Sequence, residues 1–126
     1  MSPQELRVYQ RQDGTQPFNV WIAELMDRQA RARIRTRLSR LALGNFGDCK
    51  ALDGGVSELR VDWGPGYRVY FARIGAAILL LLCAGDKTTQ SRDIERAKNY
   101  LQDYRTRSAY PQQGQKRSGK SRKRPV

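Results

Sequence analysis

Residues 58–73 alternate between hydrophobic and polar side chains, which is typical of β-strands with one buried face. Gly64-Pro65-Gly66 interrupts this alternation, so the segment predicts a hairpin with a three-residue turn. Side chains along a strand point alternately to opposite faces. One face of the hairpin is therefore apolar, and the other concentrates polar and charged side chains, namely Glu58, Arg60, Asp62, Arg68 and Tyr70.

The three-residue turn also predicts the register of the two strands. The cross-strand pairs that follow are Trp63 with Tyr67, Asp62 with Arg68, and Arg60 with Tyr70. A sheet face that gathers charge in this way is suited to holding an anion.

The same patterns predict the remaining elements. Alternation indicates a strand over residues 6–11, and apolar residues at helical spacing indicate helices over 17–26, 29–43 and 91–104. Residues 45–55 have no periodicity, which indicates a loop. Residues 76–83 are almost entirely apolar, as expected for a central strand covered on both faces. The order β-αα-βββ-α predicts a small α+β domain with an antiparallel sheet packed by a helical hairpin.

Charge is distributed unevenly along the 126 residues. The formal net charge is +12, and residues 105–126 contain eight basic residues and no acidic residue. Residues 1–104 carry the remaining +4 and are predicted to form the folded domain. The composition of residues 105–126 predicts a disordered basic tail. The basic character favours a nucleic acid or ribonucleoprotein partner through counterion release, and an acidic protein is the alternative.

Cysteine content and hydropathy narrow the function classes. Cys49 and Cys83 are too few and too isolated for a metal site or a disulfide framework. The only long apolar run, over residues 74–84, is about half the length that a membrane-spanning helix needs. No secretory signal precedes the first predicted strand. These observations predict a cytoplasmic protein with no metal, no cofactor and no membrane association.

Three stretches carry a family resemblance: residues 43–48 (LGNFGD), 55–71 (GVSELRVDWGPGYRVYF) and 83–94 (CAGDKTTQSRDI). Together with the order of elements, they resemble the RelE/ParE toxin superfamily of bacterial type II toxin–antitoxin systems. The sequence is most similar to the phage-derived, HigB-like branch of addiction module killer proteins. The resemblance covers residues 5–104, and its most specific part is the glycine–proline turn followed by Gly-Asp-Lys.

The resemblance implies a toxin that inhibits translation. Many members of the superfamily enter the ribosomal A site and cleave mRNA without a metal or cofactor. The implied partners are the ribosome, mRNA and a cognate antitoxin, a small helix-turn-helix protein. Members of the ParE type inhibit DNA gyrase instead and cleave nothing, so a non-enzymatic gyrase inhibitor is the alternative. A nucleic-acid-binding domain without toxicity is a third reading, but the sequence has no sequence-reading helix module or single-strand-binding aromatic motif.

Cleavage of RNA through its own 2′-hydroxyl needs a base, cations around the phosphorus and an acid for the leaving oxygen. The chain has no histidine, so the usual side chain for acid–base catalysis at neutral pH is absent. The candidate catalytic residues are Arg60 and Arg68 as a phosphate clamp, Lys87 as a further cation or acid, Asp86 as the base, and Tyr70 as a stacking or proton-donating group. Glu58 and Asp62 are alternative bases. The structural alternative is that the arginines pair with these acids across the hairpin, that Asp86 caps a turn, and that Tyr70 is a packing residue.

The second predicted helix carries a series of arginines with no acid between Arg28 and Arg40. Like charges three and four residues apart on a helix cost about 0.2–0.5 kcal/mol per pair, which favours a polyanionic partner. The predicted contacts with the RNA backbone are Arg31, Arg33, Arg35, Arg37 and Arg40. The alternative is an ordinary solvated face opposite the apolar stripe.

Overall fold

The computed structural model describes residues 3–109, and over this range the fold is α+β, as predicted. The described part of the chain forms a five-stranded mixed sheet and three α-helices. The elements are β1 (Glu5–Val8), α1 (Pro17–Glu24), α2 (Arg28–Ala42), β2 (Cys49–Ala51), β3 (Val56–Val61), β4 (Tyr67–Ile74), β5 (Ile78–Asp86) and α3 (Gln90–Ala109). Two short 3-10 turns lie at Asp53–Gly55 and Lys87–Thr89.

The strand order is β1-β5-β4-β3-β2. The strands β3, β4 and β5 form consecutive antiparallel pairs, as predicted. In contrast, β1 runs parallel to β5, with Leu6 opposite Leu79, so the predicted antiparallel sheet is wrong at this edge. Alternation of side chains identifies a strand, but it does not encode the direction of a partner that lies far along the chain.

The segment predicted as a loop over residues 45–55 contains the short strand β2. This strand pairs antiparallel with β3 at the other edge of the sheet, and Lys50 lies opposite Glu58. A strand of three residues is too short to show a period, which explains why the sequence pattern did not predict it.

Helices cover both faces of the sheet. On one face, α1 and α2 contribute Phe18, Ile22, Ile34 and Leu41 to the larger core. On the other face, α3 contributes Ala97 and Leu101 to a second core. Strand β5 is shared between them, since Leu79 and Leu81 belong to the first core and Leu80 and Leu82 to the second. The prediction of a central strand covered on both sides is therefore confirmed. Full burial of a leucine side chain contributes about 1.5–3 kcal/mol to folding.

Helix α3 continues beyond Tyr104, where the predicted helix ends. Arg107 Nη2 lies 2.6 Å from Asp103 Oδ2 and donates a hydrogen bond of 2.6 Å to the carbonyl oxygen of Gln10. Residues 105–109 therefore belong to the folded domain, and the predicted tail boundary at 105 is wrong. The last turn of α3 is stabilised by charged contacts with the segment after β1. A polar composition alone does not show such contacts, so the sequence did not predict this end of the helix. The prediction of a disordered tail over 110–126 lies outside the described residues.

No helix in residues 3–109 has both the length and the apolar character needed to cross a membrane.

Candidate functional site

The hairpin of β3 and β4 carries the candidate side chains in a register that differs from the predicted one. Arg60 lies directly opposite Arg68, and Glu58 lies opposite Tyr70. The difference is an even number of residues, so these four side chains still share one face of the sheet. The predicted pair of Arg60 with Tyr70 is wrong, but the predicted grouping on one face is retained.

The turn accounts for the change of register. Val61 pairs with Tyr67, so the connection is longer than the predicted three residues. The N–H of Trp63 donates to the Val61 carbonyl at 2.9 Å, and the N–H of Gly66 donates to the Trp63 carbonyl at 3.0 Å. Gly64 and Gly66 have φ angles of 56° and 84°, a left-handed conformation that glycine adopts without strain. The glycines therefore allow a wider turn that withdraws residues from the strand pairing.

A pocket of about 390 Å³ opens beside this turn. Its wall includes the cations Arg60, Arg68 and Lys87 and the carboxylates Asp48 and Asp62. The wall is completed by Val61, Gly64, Pro65, Gly66 and Tyr67. The predicted pairing of Asp62 with Arg68 is wrong, because Asp62 belongs to the turn and contributes to the pocket from there. The structure thus brings together three of the five predicted catalytic residues.

The carboxylate of a buried residue, Glu58, lies close to both arginines of the pocket. Glu58 is fully buried, and its Oε1 lies 3.3 Å from Arg60 Nε while its Oε2 lies 3.6 Å from Arg68 Nε. The side chains of Arg60 and Arg68 are 40% and 14% exposed, respectively. Arg68 Nη1 also donates to the Gly66 carbonyl at 3.2 Å. The structural alternative, ion pairing with Glu58, therefore coexists with a position at the pocket wall.

Tyr70 lies beneath the pocket and not at its surface. The residue is fully buried, and its hydroxyl donates to Glu58 Oε2 at 3.1 Å. Burial, followed by the neighbouring negative charge of Glu58, raises the pKa of Tyr70 well above its usual range. The predicted role of Tyr70 in stacking on a base is wrong, because no RNA base can reach a buried ring. Tyr70 is a packing residue of the second core.

Asp86 and Lys87 are neighbours in sequence but have different environments. The Asp86 carboxylate accepts hydrogen bonds from the Thr88 N–H at 2.9 Å and the Thr88 hydroxyl at 2.5 Å, so it caps the turn that leads into α3. The hydrogen bond from the Thr88 side chain is the main reason that the pKa of Asp86 is lowered. Asp86 does not line the pocket, and a lowered pKa makes a weaker base, so the geometry does not favour its predicted role. Lys87 is exposed at the pocket wall.

The residue before this pair, Gly85, lies opposite Arg68 in the sheet. A Cβ atom at Gly85 would lie 1.8 Å from Asp93 Oδ2. Asp93 is buried, accepts a hydrogen bond of 2.5 Å from the Thr89 hydroxyl, and pairs with Arg96 at 3.0 Å. The Gly-Asp-Lys segment therefore needs its glycine so that a buried carboxylate of α3 can approach the end of β5.

The arginines of α2 do not act as a single group. Arg31 donates to the Leu25 carbonyl, and Arg37 Nη1 donates to the Arg60 carbonyl at 2.6 Å. Arg33 stacks over the Trp63 ring, with its guanidinium carbon 3.9 Å from the ring centroid. The exposed arginines of α2 are Arg28, Arg33, Arg35 and Arg40, and of these Arg35 and Arg40 make no side-chain contact within residues 3–109 of the kinds described above for Arg31, Arg33 and Arg37. The half-buried guanidinium of Arg37 anchors α2 to β3, so its position favours a structural role, and the RNA contact predicted for Arg37 stays a prediction.

Sequence reasoning did not single out Asp48 and Gln90 as residues of this region, and it did not predict the structural role of Arg37. Asp48 lines the pocket, Gln90 Nε2 donates to Glu58 Oε2 at 2.8 Å, and Arg37 supports the backbone at Arg60. A sequence signal existed only for Arg37, which lies three residues after Ile34 and four before Leu41 and therefore borders the apolar stripe of α2. The positions of Asp48 and Gln90 depend on how the chain returns to the hairpin.

The side chains of the pocket are better suited to stabilising negative charge on a ligand than to transferring protons. Guanidinium groups stay charged and bind phosphate oxygens through several N–H donors, and Lys87 supplies a third cation. Asp62 and Asp48 are the carboxylates at the wall. Among residues 3–109, no group of three or more His, Cys, Asp or Glu side chains is arranged to hold a metal ion.

Comparison with known proteins gives one family relationship. No model of a known protein family matches the sequence. The chain is 45% identical over 89 residues to an uncharacterized protein from Haemophilus influenzae, and the alignment covers 71% of this chain and 90% of that protein.

Proposed function

We propose that this chain, which belongs to the same family as the Haemophilus influenzae protein, is the toxin of a type II toxin–antitoxin system. In this proposal it is a RelE/ParE-like, HigB-like endoribonuclease that cleaves mRNA on the ribosome, inhibits translation in the cytoplasm and is neutralised by a cognate antitoxin. The element order supports the assignment, because the observed order of strands and α-helices differs from β-αα-βββ-α only by the short edge strand β2.

The observation that carries the proposal is the convergence of Arg60, Arg68 and Lys87 on one pocket beside the hairpin turn. These residues come from two strands and from the turn after β5, so the fold itself brings the three cations together. A phosphodiester is a ligand that suits such a site, since it offers several oxygens to guanidinium donors.

The proposed reaction starts with attack of the RNA 2′-oxygen on the adjacent phosphorus. The bond from phosphorus to the 5′-oxygen breaks, which leaves a 2′,3′-cyclic phosphate and a free 5′-hydroxyl. Asp62 takes the proton from the 2′-hydroxyl, and Lys87 gives a proton to the leaving 5′-oxygen. Arg60 and Arg68 stabilise the charge that builds up on the phosphate oxygens.

Ribosome dependence follows from the residues available. The pocket has no side chain that titrates near neutral pH in its unperturbed state, so acid–base catalysis alone is weak. A strained mRNA geometry in the ribosome can supply proximity and orientation, which contribute about 7–11 kcal/mol in favourable cases. The exposed arginines of α2 then bind the rRNA or mRNA backbone, and an acidic segment of the antitoxin competes for the same cationic surface.

Primer extension on cellular mRNA after brief induction tests the proposal. Wild-type protein is expected to produce new 5′ ends within minutes, whereas Arg60→Ala is expected to cut about 10²–10³ times more slowly, as for loss of one group that stabilises transition-state charge. Arg73→Ala is the matched control, because Arg73 lies on β4, packs over Phe46 and does not line the pocket. New ends with all three proteins, or with none, would contradict the assignment.

A further inference from the structure

We infer that Glu58 is a positioning residue, whose buried carboxylate holds Arg60 and Arg68 at the spacing that grips one phosphodiester, and that it is not the base. The identity of the substrate rests on the proposed function. The positioning role rests on the contacts of Glu58 itself, so the two statements can fail separately.

Three hydrogen-bond donors and the more distant Arg68 guanidinium surround the Glu58 carboxylate. Arg60 Nε lies 3.3 Å from Oε1, while Arg68 Nε, the Tyr70 hydroxyl and Gln90 Nε2 lie 3.6, 3.1 and 2.8 Å from Oε2, respectively. An ionised carboxylate has about four lone-pair sites for hydrogen bonds. Three hydrogen bonds therefore occupy most of the carboxylate, and the Arg68 guanidinium lies close to what remains. A buried carboxylate engaged in this way is badly placed to take a proton from RNA in the open pocket.

The register of the hairpin explains why a buried acid is needed here. Arg60 and Arg68 are direct cross-strand neighbours, and like charges in that position repel. Glu58 is two residues from Arg60 on the same face of β3, and it lies diagonally across from Arg68. One carboxylate can therefore attract both guanidinium groups and oppose their separation.

This arrangement also orients the donors of the arginines. Arg60 directs its Nε toward Glu58, and within residues 3–109 its Nη groups make no hydrogen bond, so they remain available to a ligand in the pocket. Arg68 places its Nε toward Glu58 and its Nη1 on the Gly66 carbonyl. Glu58 thus fixes the inner side of both guanidinium groups and leaves outer N–H groups for phosphate oxygens.

The variant Glu58→Gln tests the inference, with Tyr70→Phe as its matched control. The glutamine keeps the size of the side chain and an acceptor for Tyr70 but removes the charge that attracts both arginines. The control removes one hydrogen bond from an uncharged donor to the same carboxylate and leaves the charge of that carboxylate in place. Circular dichroism shows whether each variant is folded, and Glu58→Asp, which keeps the charge on a shorter side chain, is used if the glutamine variant does not fold.

The first readout is hydrogen exchange at the arginine Nε–H groups, measured by NMR and assigned with Arg60→Lys and Arg68→Lys. In wild type and Tyr70→Phe, both groups are expected to exchange at least tenfold more slowly than the exposed Arg35. In Glu58→Gln, the Arg60 Nε–H, which loses its hydrogen bond, should approach the rate of Arg35, and the buried Arg68 Nε–H should exchange faster than in wild type as its ion pair is released; in Glu58→Asp both rates should lie between. Unchanged protection in a folded Glu58→Gln or Glu58→Asp variant would overturn the inference, whether or not the protein cuts RNA.

The second readout separates binding from turnover. RNA with a 2′-O-methyl group at the cleavage position cannot react. Glu58→Gln should bind it within about threefold of wild type, because the loss of arginine spacing is offset by the loss of a negative charge near the phosphate. Cleavage of ribosome-bound mRNA should fall at least tenfold in kcat with little change in KM. A loss of kcat with arginine protection intact would identify Glu58 as the base and refute the positioning role. Absence of cleavage by the wild type would refute the proposed function, while the exchange data would still decide the role of Glu58.

Discussion

Replacement of Gly85 with alanine is expected to destabilise the protein, because it forces a methyl group into the space of a buried carboxylate. The new Cβ would lie 1.8 Å from Asp93 Oδ2 and 2.7 Å from Thr89 Oγ1. Both distances are shorter than any real contact of a Cβ atom. Asp93 must therefore move, or the end of β5 must shift away from α3.

The cost has two sources. Overpacking of an interior typically costs about 1–3 kcal/mol. Displacement of Asp93 also weakens its hydrogen bond with Thr89 and its pair with Arg96, which are 2.5 and 3.0 Å long. A hydrogen bond to a charged group contributes about 1.5–3 kcal/mol. The expected loss is about 3–5 kcal/mol, a large fraction of the roughly 5–15 kcal/mol that stabilises a typical domain.

Urea unfolding followed by circular dichroism measures this loss, and a double-mutant cycle with Asp93→Ala tests its cause. The single variant Asp93→Ala should also be destabilised, because Thr89 and Arg96 lose a partner. If steric conflict with the carboxylate is the cause, adding Gly85→Ala to Asp93→Ala should cost at least 2 kcal/mol less than adding it to wild type, within the usual range of coupling between contacting residues. Additive effects, or a Gly85→Ala protein as stable as wild type, would refute the reasoning.

Three further predictions concern the hydrogen bond of Arg37, the ionisation of Tyr9 and the basic segment 110–126. Arg37→Ala should lower the urea midpoint, because it removes the hydrogen bond to the Arg60 carbonyl. Replacement of the exposed Arg35 with alanine should leave the midpoint unchanged, and equal midpoints in the two variants would contradict the anchoring role of Arg37. Burial, and then the hydrogen bond to Asp103, raise the pKa of Tyr9 to about 12, above the value of about 10 in an unfolded chain. The neutral form is thus favoured in the fold, so the stability that Tyr9 contributes is complete below about pH 10 and is lost as the pH rises toward 12. Alkaline titration should show late ionisation of Tyr9, and wild type should lose more stability between about pH 10 and 12 than Tyr9→Phe; equal losses in the two proteins would contradict the interpretation. Deletion of residues 110–126, which contain six basic and no acidic residues, should weaken binding to RNA and flatten its dependence on salt, and an unchanged salt slope would exclude a role of this segment in RNA binding.

The sequence predicted the fold class well because the elements have strong local patterns. The apolar residues Ile34, Leu38 and Leu41 recur at helical spacing, and all three are buried against the sheet. The apolar run in β5 predicted a strand covered on both faces, which the structure confirms. Local patterns could not give the parallel direction of β1, the short strand β2 or the end of α3. These features depend on contacts between distant segments, such as the hydrogen bond from Arg107 to the Gln10 carbonyl.

The candidate site was predictable in its chemistry but not in its geometry. The side-chain parity of the hairpin correctly placed Arg60 and Arg68 on one face with Glu58. The alternation of side chains cannot show how deeply a residue is buried, however, because it does not reveal which part of that sheet face α3 covers. For this reason Tyr70 was predicted at the surface but lies in the core, and Glu58 was considered as a base but is enclosed by donors. The turn glycines altered the register, which alternation alone could not indicate.

The central claim is that the pocket of Arg60, Arg68 and Lys87 cuts mRNA when the mRNA is bound to the ribosome. The most direct measurement is cleavage of one purified mRNA, with and without ribosomes, by wild type, Lys87→Ala and the control Arg73→Ala. The account predicts cutting only with ribosomes, strong reduction in Lys87→Ala and activity near wild type in Arg73→Ala. Equal cutting of naked RNA would contradict the ribosome requirement. No cutting under either condition, together with inhibited DNA supercoiling by gyrase, would contradict the central claim itself.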